Sequence, residues 1–256
     1  MFTSSIGPLA GVLLRMAGLV FLIYFLITGL VFFVQRSLVY FPSHFDRASL
    51  LEPWLDGAEL IGYCREVDDP ETIWLMTHGN GGQAADRDYV LPKISDRDSL
   101  YVLEYPGYGK REGKPSLKSI NAAAVDAYRI LRDENPGTPV CVIGESIGSG
   151  PACVLASEEP APDQVALVVP FDKLTNVAAD TFPFLPVRLL LLDRWDNVEA
   201  LGDYSGPVQI YAAEGDRIIP AKHARALADE IGGAEFIEVS GGHNEWSYQE
   251  DIRFEH

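Results

Sequence analysis

Three residues far apart in the chain have the types that acyl-transfer chemistry needs. Ser146 stands in Gly144-Glu145-Ser146-Ile147-Gly148, between an apolar run and the small-residue run Ser149 to Ser157. A tight strand-to-helix turn of this kind holds its serine at a strained backbone angle, and glycines on either side remove Cβ clashes. A serine hydroxyl is a poor nucleophile until a histidine takes its proton, and that histidine needs a carboxylate to fix its tautomer. Gly215-Asp216 and Gly241-Gly242-His243 supply both, each just past an apolar run, in the chain order serine, acid, histidine. Asp216 also reads as a helix N-cap ahead of Pro220, and His243 alone reads as a surface-loop histidine. The three in this order favour nucleophile, acid and base roles.

Two further segments bear on the same chemistry. The turn after Ser146 places the Ile147 backbone N–H at a helix start, where free donors and the helix dipole favour a developing oxyanion. His78-Gly79-Asn80-Gly81-Gly82 follows another apolar run, and its glycines let the backbone approach a ligand closely. The Asn80 backbone N–H is the expected second donor, with His78, Gly79 and Gly81 supporting the loop. A phosphate-cradling loop is the competing reading, but it lacks the GxxxxGK[ST] pattern. The remaining histidines are weaker bases: His223 falls within a predicted helix, His44 lies near the apolar N-terminal segment, and His256 ends the sequence.

Positioning these groups requires a sheet. Short β-rich runs are predicted at Glu59 to Val67, Thr72 to Thr77, Leu100 to Glu104, Val140 to Ile143, Val165 to Val169, Val208 to Ala212 and Glu235 to Val239. Helical spacing at Ile120 to Asp133 and Ala221 to Ile231 alternates with them, and Gly232-Gly233 stops the second helix. The pattern predicts an α/β domain with a doubly wound, mostly parallel sheet covered on both faces. Thr175 to Tyr204 departs from it: Phe182-Pro183-Phe184-Leu185-Pro186 leads into the apolar run Val187 to Leu192, which reads either as a pocket cap or as an ordinary packed helix.

Residues 16–34 contain no charge, enough at 1.5 Å per residue to cross nearly all of a ~30 Å hydrocarbon core. Residues 1–36 are therefore expected to be a single transmembrane anchor and 37–256 the catalytic domain. A cleaved signal peptide would end in a small-x-small site, which Phe33-Val34-Gln35-Arg36 is not. Arg15 before the apolar run and Arg36 and Arg47 after it leave orientation undecided. A net charge of -17, with 20 basic against 37 acidic residues, argues against a nucleic-acid partner. Cys64, Cys141 and Cys153 have no metal-ligand spacing and read as packed thiols; neither a metal nor a cofactor is expected.

Taken together, the motifs resemble the α/β-hydrolase superfamily, and within it the small membrane-anchored α/β-hydrolase-domain proteins. The likeness runs along nearly the whole chain: an N-terminal anchor, Leu38-Val39-Tyr40-Phe41-Pro42, His78-Gly79-Asn80, Tyr105-Pro106-Gly107-Tyr108-Gly109, the GxSxG elbow, Pro170-Phe171-Asp172, Gly215-Asp216 to Pro220, and Gly241-Gly242-His243. It implies the α/β-hydrolase fold, the triad Ser146, Asp216 and His243, and an oxyanion hole from Ile147 and Asn80. Lys110 and Arg111 stand where relatives often carry a serine, and few residues follow His243. The implied activity is hydrolysis of an ester or thioester, with a small-molecule or lipid acyl ester, or an S-acylated protein, as substrate. A peptidase of the same fold and a silent membrane-anchored scaffold are the rival expectations.

Overall fold

The computed structural model describes residues 8–256. Its first element is a long helix, α1 (Pro8–Val39), containing the charge-free stretch. A hairpin follows, β1 (Glu52–Asp56) and β2 (Glu59–Arg65), then β3 (Ile73–Thr77) and β4 (Ser99–Leu103). The order continues α2 (Leu117–Glu134), β5 (Val140–Glu145), α3 (Ser149–Val154), β6 (Val165–Val168), α4 (Leu174–Thr181), α5 (Val187–Leu190) and α6 (Asn197–Leu201). It closes with β7 (Val208–Ala213), α7 (Ala221–Ile231) and β8 (Glu235–Val239).

The eight strands form one sheet in the order β1-β2-β4-β3-β5-β6-β7-β8. β1 and β2 run antiparallel to their neighbours, and every pairing from β4 through β8 is parallel. The central strands β3, β4, β5 and β6 are buried at every residue, as parallel strands covered on both faces must be. Their uninterrupted apolar runs follow from that burial.

One face packs against α2, α3 and α7. In α2 the residues Ile120, Ala124, Ala127 and Leu131 repeat at helical spacing and lie in the core, while Ser116 caps the start by accepting from the Ser119 N–H. The other face is covered by a 3-10 segment, Ala84–Lys93, and by the C-terminal stretch carrying Trp246, Ile252 and Phe254.

The sequence runs predicted β2 through β8 to within two residues at each boundary, but β1 went unpredicted. Only Trp54 of β1 is buried, so the strand carries no period-two pattern. Its signal is the turn: Asp56-Gly57 joins β1 to β2, with Gly57 at φ 59°. The stretch Thr175 to Tyr204 holds three short helices, α4, α5 and α6, and Pro183 and Pro186 fall in the break between α4 and α5.

Candidate active site

Ser146 follows β5 directly, at φ 54°, a left-handed conformation that a residue with a Cβ adopts at a cost. The flanking glycines are required by contact. A Cβ on Gly148 would lie 2.0 Å from the Thr77 carbonyl oxygen, and one on Gly144 would meet Ala152 Cβ at 2.7 Å. The Thr77 hydroxyl donates to the Gly148 carbonyl at 2.7 Å, fastening the elbow to the end of β3.

Asp216 and His243 leave the adjacent C-terminal ends of β7 and β8. The two loops are stitched together by Gly215 N–H to the Gly241 carbonyl at 2.8 Å. Asp216 Oδ1 accepts from the Ile218 and Ile219 N–H groups, both at 2.8 Å, and Oδ2 faces His243 Nδ1 at 2.6 Å. His243 Nε2 lies 2.8 Å from Ser146 Oγ. The structure thus brings the three predicted residues into one continuous chain of hydrogen bonds across 97 positions of sequence. Asp216 does cap a turn, at residues 218 and 219, but with the oxygen that does not face the imidazole; α7 begins after Pro220 without a side-chain cap.

The His78 to Gly82 loop lies beside the elbow. Asn80 and Ile147 both line the cavity above Ser146, and among the described residues neither backbone N–H donates to a protein acceptor. The Asn80 side chain points the other way, toward the chain that leaves α1. Its Oδ1 accepts from Phe41 N–H at 2.8 Å and the Tyr108 hydroxyl at 2.9 Å, and its Nδ2 donates to the Val39 carbonyl. The loop is therefore tied to the foot of α1. His78 is fully buried, stacked on Tyr105 with ring centroids 4.2 Å apart, with Nδ1 2.8 Å from the Gly79 carbonyl.

Sequence reasoning missed Glu145 and Arg87. Glu145 is the variable residue of the elbow motif, yet its buried carboxylate accepts from Gly79 N–H at 2.8 Å, the Tyr89 hydroxyl at 3.0 Å and Trp246 Nε1 at 3.1 Å. Arg87 lies 3.9 Å from the same carboxylate and donates to the Gly79 carbonyl at 3.0 Å. Burial alone would raise the Glu145 pKa, but Arg87 and the ring of donors outweigh it and hold the carboxyl below its ordinary value. One carboxylate thus joins the elbow to the glycine loop facing it. The only hint in the sequence was a charge ending a strand that begins with the apolar run Val140 to Ile143.

The cavity has a volume of about 700 Å³ and apolar walls from Val177, Ala178, Phe182 and Leu191 on the cap and Leu38 and Phe41 at the foot of α1. A larger cleft of about 980 Å³ lies between α2, α3 and α6 and contains none of these groups. Lys110 pairs with Asp46 at 2.8 Å, and Arg111 donates to the Glu104 carbonyl at 2.9 Å, so neither residue that departs from the family pattern lines the cavity. Among the other histidines, His44 lies 2.8 Å from the Gly109 carbonyl and His223 is held between Asp172 and Asp180, at 2.9 and 3.0 Å.

This mostly parallel sheet, with the elbow after β5 and the other two groups after β7 and β8, has the α/β-hydrolase fold. Over 241 residues, covering 85% of this chain and 84% of the other, it is 29% identical to the uncharacterized protein Rv2307c of Mycobacterium tuberculosis. It is 28% identical over 177 residues to α/β hydrolase domain-containing protein 17B of Xenopus laevis, across 67% of this chain and 60% of that one. Among solved structures, the esterase Pf2001 of Pyrococcus furiosus superposes with a TM-score of 0.61 at 13% identity, over 82% of this chain and 94% of the esterase. No family model matches the sequence.

Proposed function

We propose that this protein is a membrane-anchored serine hydrolase that cleaves carboxylic esters or thioesters through an acyl-enzyme. The observation that carries the reading is the unbroken Ser146–His243–Asp216 chain, 2.8 and 2.6 Å, at the base of an apolar cavity. In this mechanism Ser146 Oγ attacks the acyl carbonyl while its proton passes to His243 Nε2, and Asp216 Oδ2 stabilises the imidazolium. The carbonyl oxygen becomes an oxyanion facing the Ile147 and Asn80 N–H groups. Collapse expels the alcohol or thiol, which takes the proton from His243. Water, deprotonated by the same imidazole, then attacks the acyl-serine; the carboxylic acid leaves and Ser146 recovers its proton.

The apolar walls favour substrates with an acyl chain, either lipid esters or S-acylated proteins. The apolar surface of α1 favours a bilayer anchor: nearly every side chain from Leu9 to Ile27 is exposed.

A fluorophosphonate probe applied to membrane fractions tests the proposal. Labelling of the wild type and loss of labelling in Ser146→Ala are expected; equal labelling of both ends the assignment. A panel of p-nitrophenyl acyl esters of graded length, run beside peptide amides, then separates esterase from peptidase. Full cellular function retained by Ser146→Ala would favour the scaffold.

A further inference from the structure

The cap is built like a second membrane element. From Gln35 back to Tyr24, α1 presents one buried or half-buried stripe, Thr28, Val31, Phe32 and Gln35, and the cap lies against this flank. Gln35 receives the Leu192 N–H at 2.7 Å and donates to the Leu190 carbonyl at 3.1 Å. Eleven residues earlier, the Tyr24 hydroxyl donates to the Phe184 carbonyl at 3.1 Å. At 1.5 Å per residue the cap therefore runs about 16 Å along the apolar helix, roughly half of a ~30 Å hydrocarbon core.

Its chemistry suits lipid. Outward it shows Phe184, 88% exposed, and Leu189, 80% exposed, beside Phe182 and Leu192, an apolar patch continuous with the surface of α1. Backbone in hydrocarbon must satisfy its polar groups internally. In this stretch Pro183 and Pro186 have no N–H to satisfy, and the N–H groups of Leu185, Val187, Leu189, Leu190 and Leu191 all donate to carbonyls of the same segment. Arg188, the one charge among residues 182–192, turns back to donate to Asn176 Oδ1 at 3.2 Å.

We propose that residues 182–192 insert into the same leaflet as the foot of α1, so that the catalytic cavity opens within the bilayer and takes its acyl chain laterally from the lipid phase. Phe182 and Leu191 on the cap, and Leu38 and Phe41 after the span, wall that opening. The inference rests on α1 being a membrane anchor and names a bilayer-resident acyl ester as the substrate class.

The full chain, reconstituted in phosphatidylcholine vesicles, provides the test. Single variants Phe184→Cys and Leu189→Cys are labelled with an environment-sensitive fluorophore and challenged with lipids carrying a nitroxide near the headgroup or deep in the acyl chain. Leu26→Cys reports the span, and Leu55→Cys, on β1 at the far sheet edge, reports water. Probes at 184 and 189 should be quenched by lipid nitroxide like the probe at 26, with 184 the more sensitive to the deep label. Quenching at 26 with none at 184 or 189 overturns the cap insertion and leaves the anchor standing. No quenching at any of the three overturns both. A probe shielded at 184 only as protein concentration rises assigns the patch to a second copy and also overturns it. As an independent readout, Phe184→Asp with Leu189→Asp should lower turnover of a vesicle-borne long-chain ester about tenfold or more, with turnover of a soluble short-chain ester unchanged. Equal loss on both substrates contradicts lateral access.

Discussion

Glu145 shows what a motif conceals at the scale of single residues. The meeting of Ser146, Asp216 and His243 was legible because residues of these types, in this chain order, each follow a strand end. Glu145 was illegible because its partners, Gly79, Arg87, Tyr89 and Trp246, lie 56 to 101 positions away and meet only in the fold. Glu145→Ala leaves Arg87 buried without its counter-charge, and we expect a loss of roughly 3–5 kcal/mol in urea unfolding. Glu145→Gln keeps the shape and removes the charge, giving a pH test. The wild-type carboxyl is held below its ordinary value of 4.5, so its contribution to stability is complete above that pH and is lost as pH falls through the lower folded value. Unfolding midpoints measured across the acid range should therefore fall more steeply with acidification in the wild type than in Glu145→Gln.

The parallel strands β3 to β8 could be read at the scale of elements because they are short apolar runs ended by turn residues. The antiparallel edge strand β1, exposed at four of its five residues, could not. The cap was half legible: its greasy composition suggested a cover, but the docking partner was α1, a contact between residues about 160 apart. The elbow itself tolerates no bulk at its second glycine. Gly148→Ala drives a methyl onto the Thr77 carbonyl, so probe labelling of Ser146 should disappear even where circular dichroism shows a folded protein. Truncation separates anchor from site. A chain beginning at Arg36 keeps Val39 and Phe41, the partners of the Asn80 side chain, while one beginning at Ser43 loses both. The first should hydrolyse soluble esters measurably faster than the second in detergent.

Considered as a whole molecule, the sheet has two apolar layers of unequal make-up. On the second face the chain end contributes directly: Phe254 is fully buried and packs against Trp74, Tyr211 and Trp246, with ring centroids 5.9 to 6.4 Å apart. Phe254→Ala should cost about 3–5 kcal/mol in chemical denaturation. Because Trp246 also donates to Glu145, removing the Phe254 ring should slow Ser146 labelling in the surviving folded fraction. The three cysteines are free and buried, and burial pushes the Cys64 thiol up to about 12. A maleimide should therefore leave the native protein unmodified and react fully once it is unfolded. By grasping Val39 and Phe41, the Asn80 side chain makes the exit of the N-terminal helix part of the scaffold beside Ser146. On the proposed reading, a protease that clipped the chain just beyond Phe41 would free a body whose nucleophile survives while its oxyanion donors slacken, so cleavage at that point would itself be a way of switching the protein off.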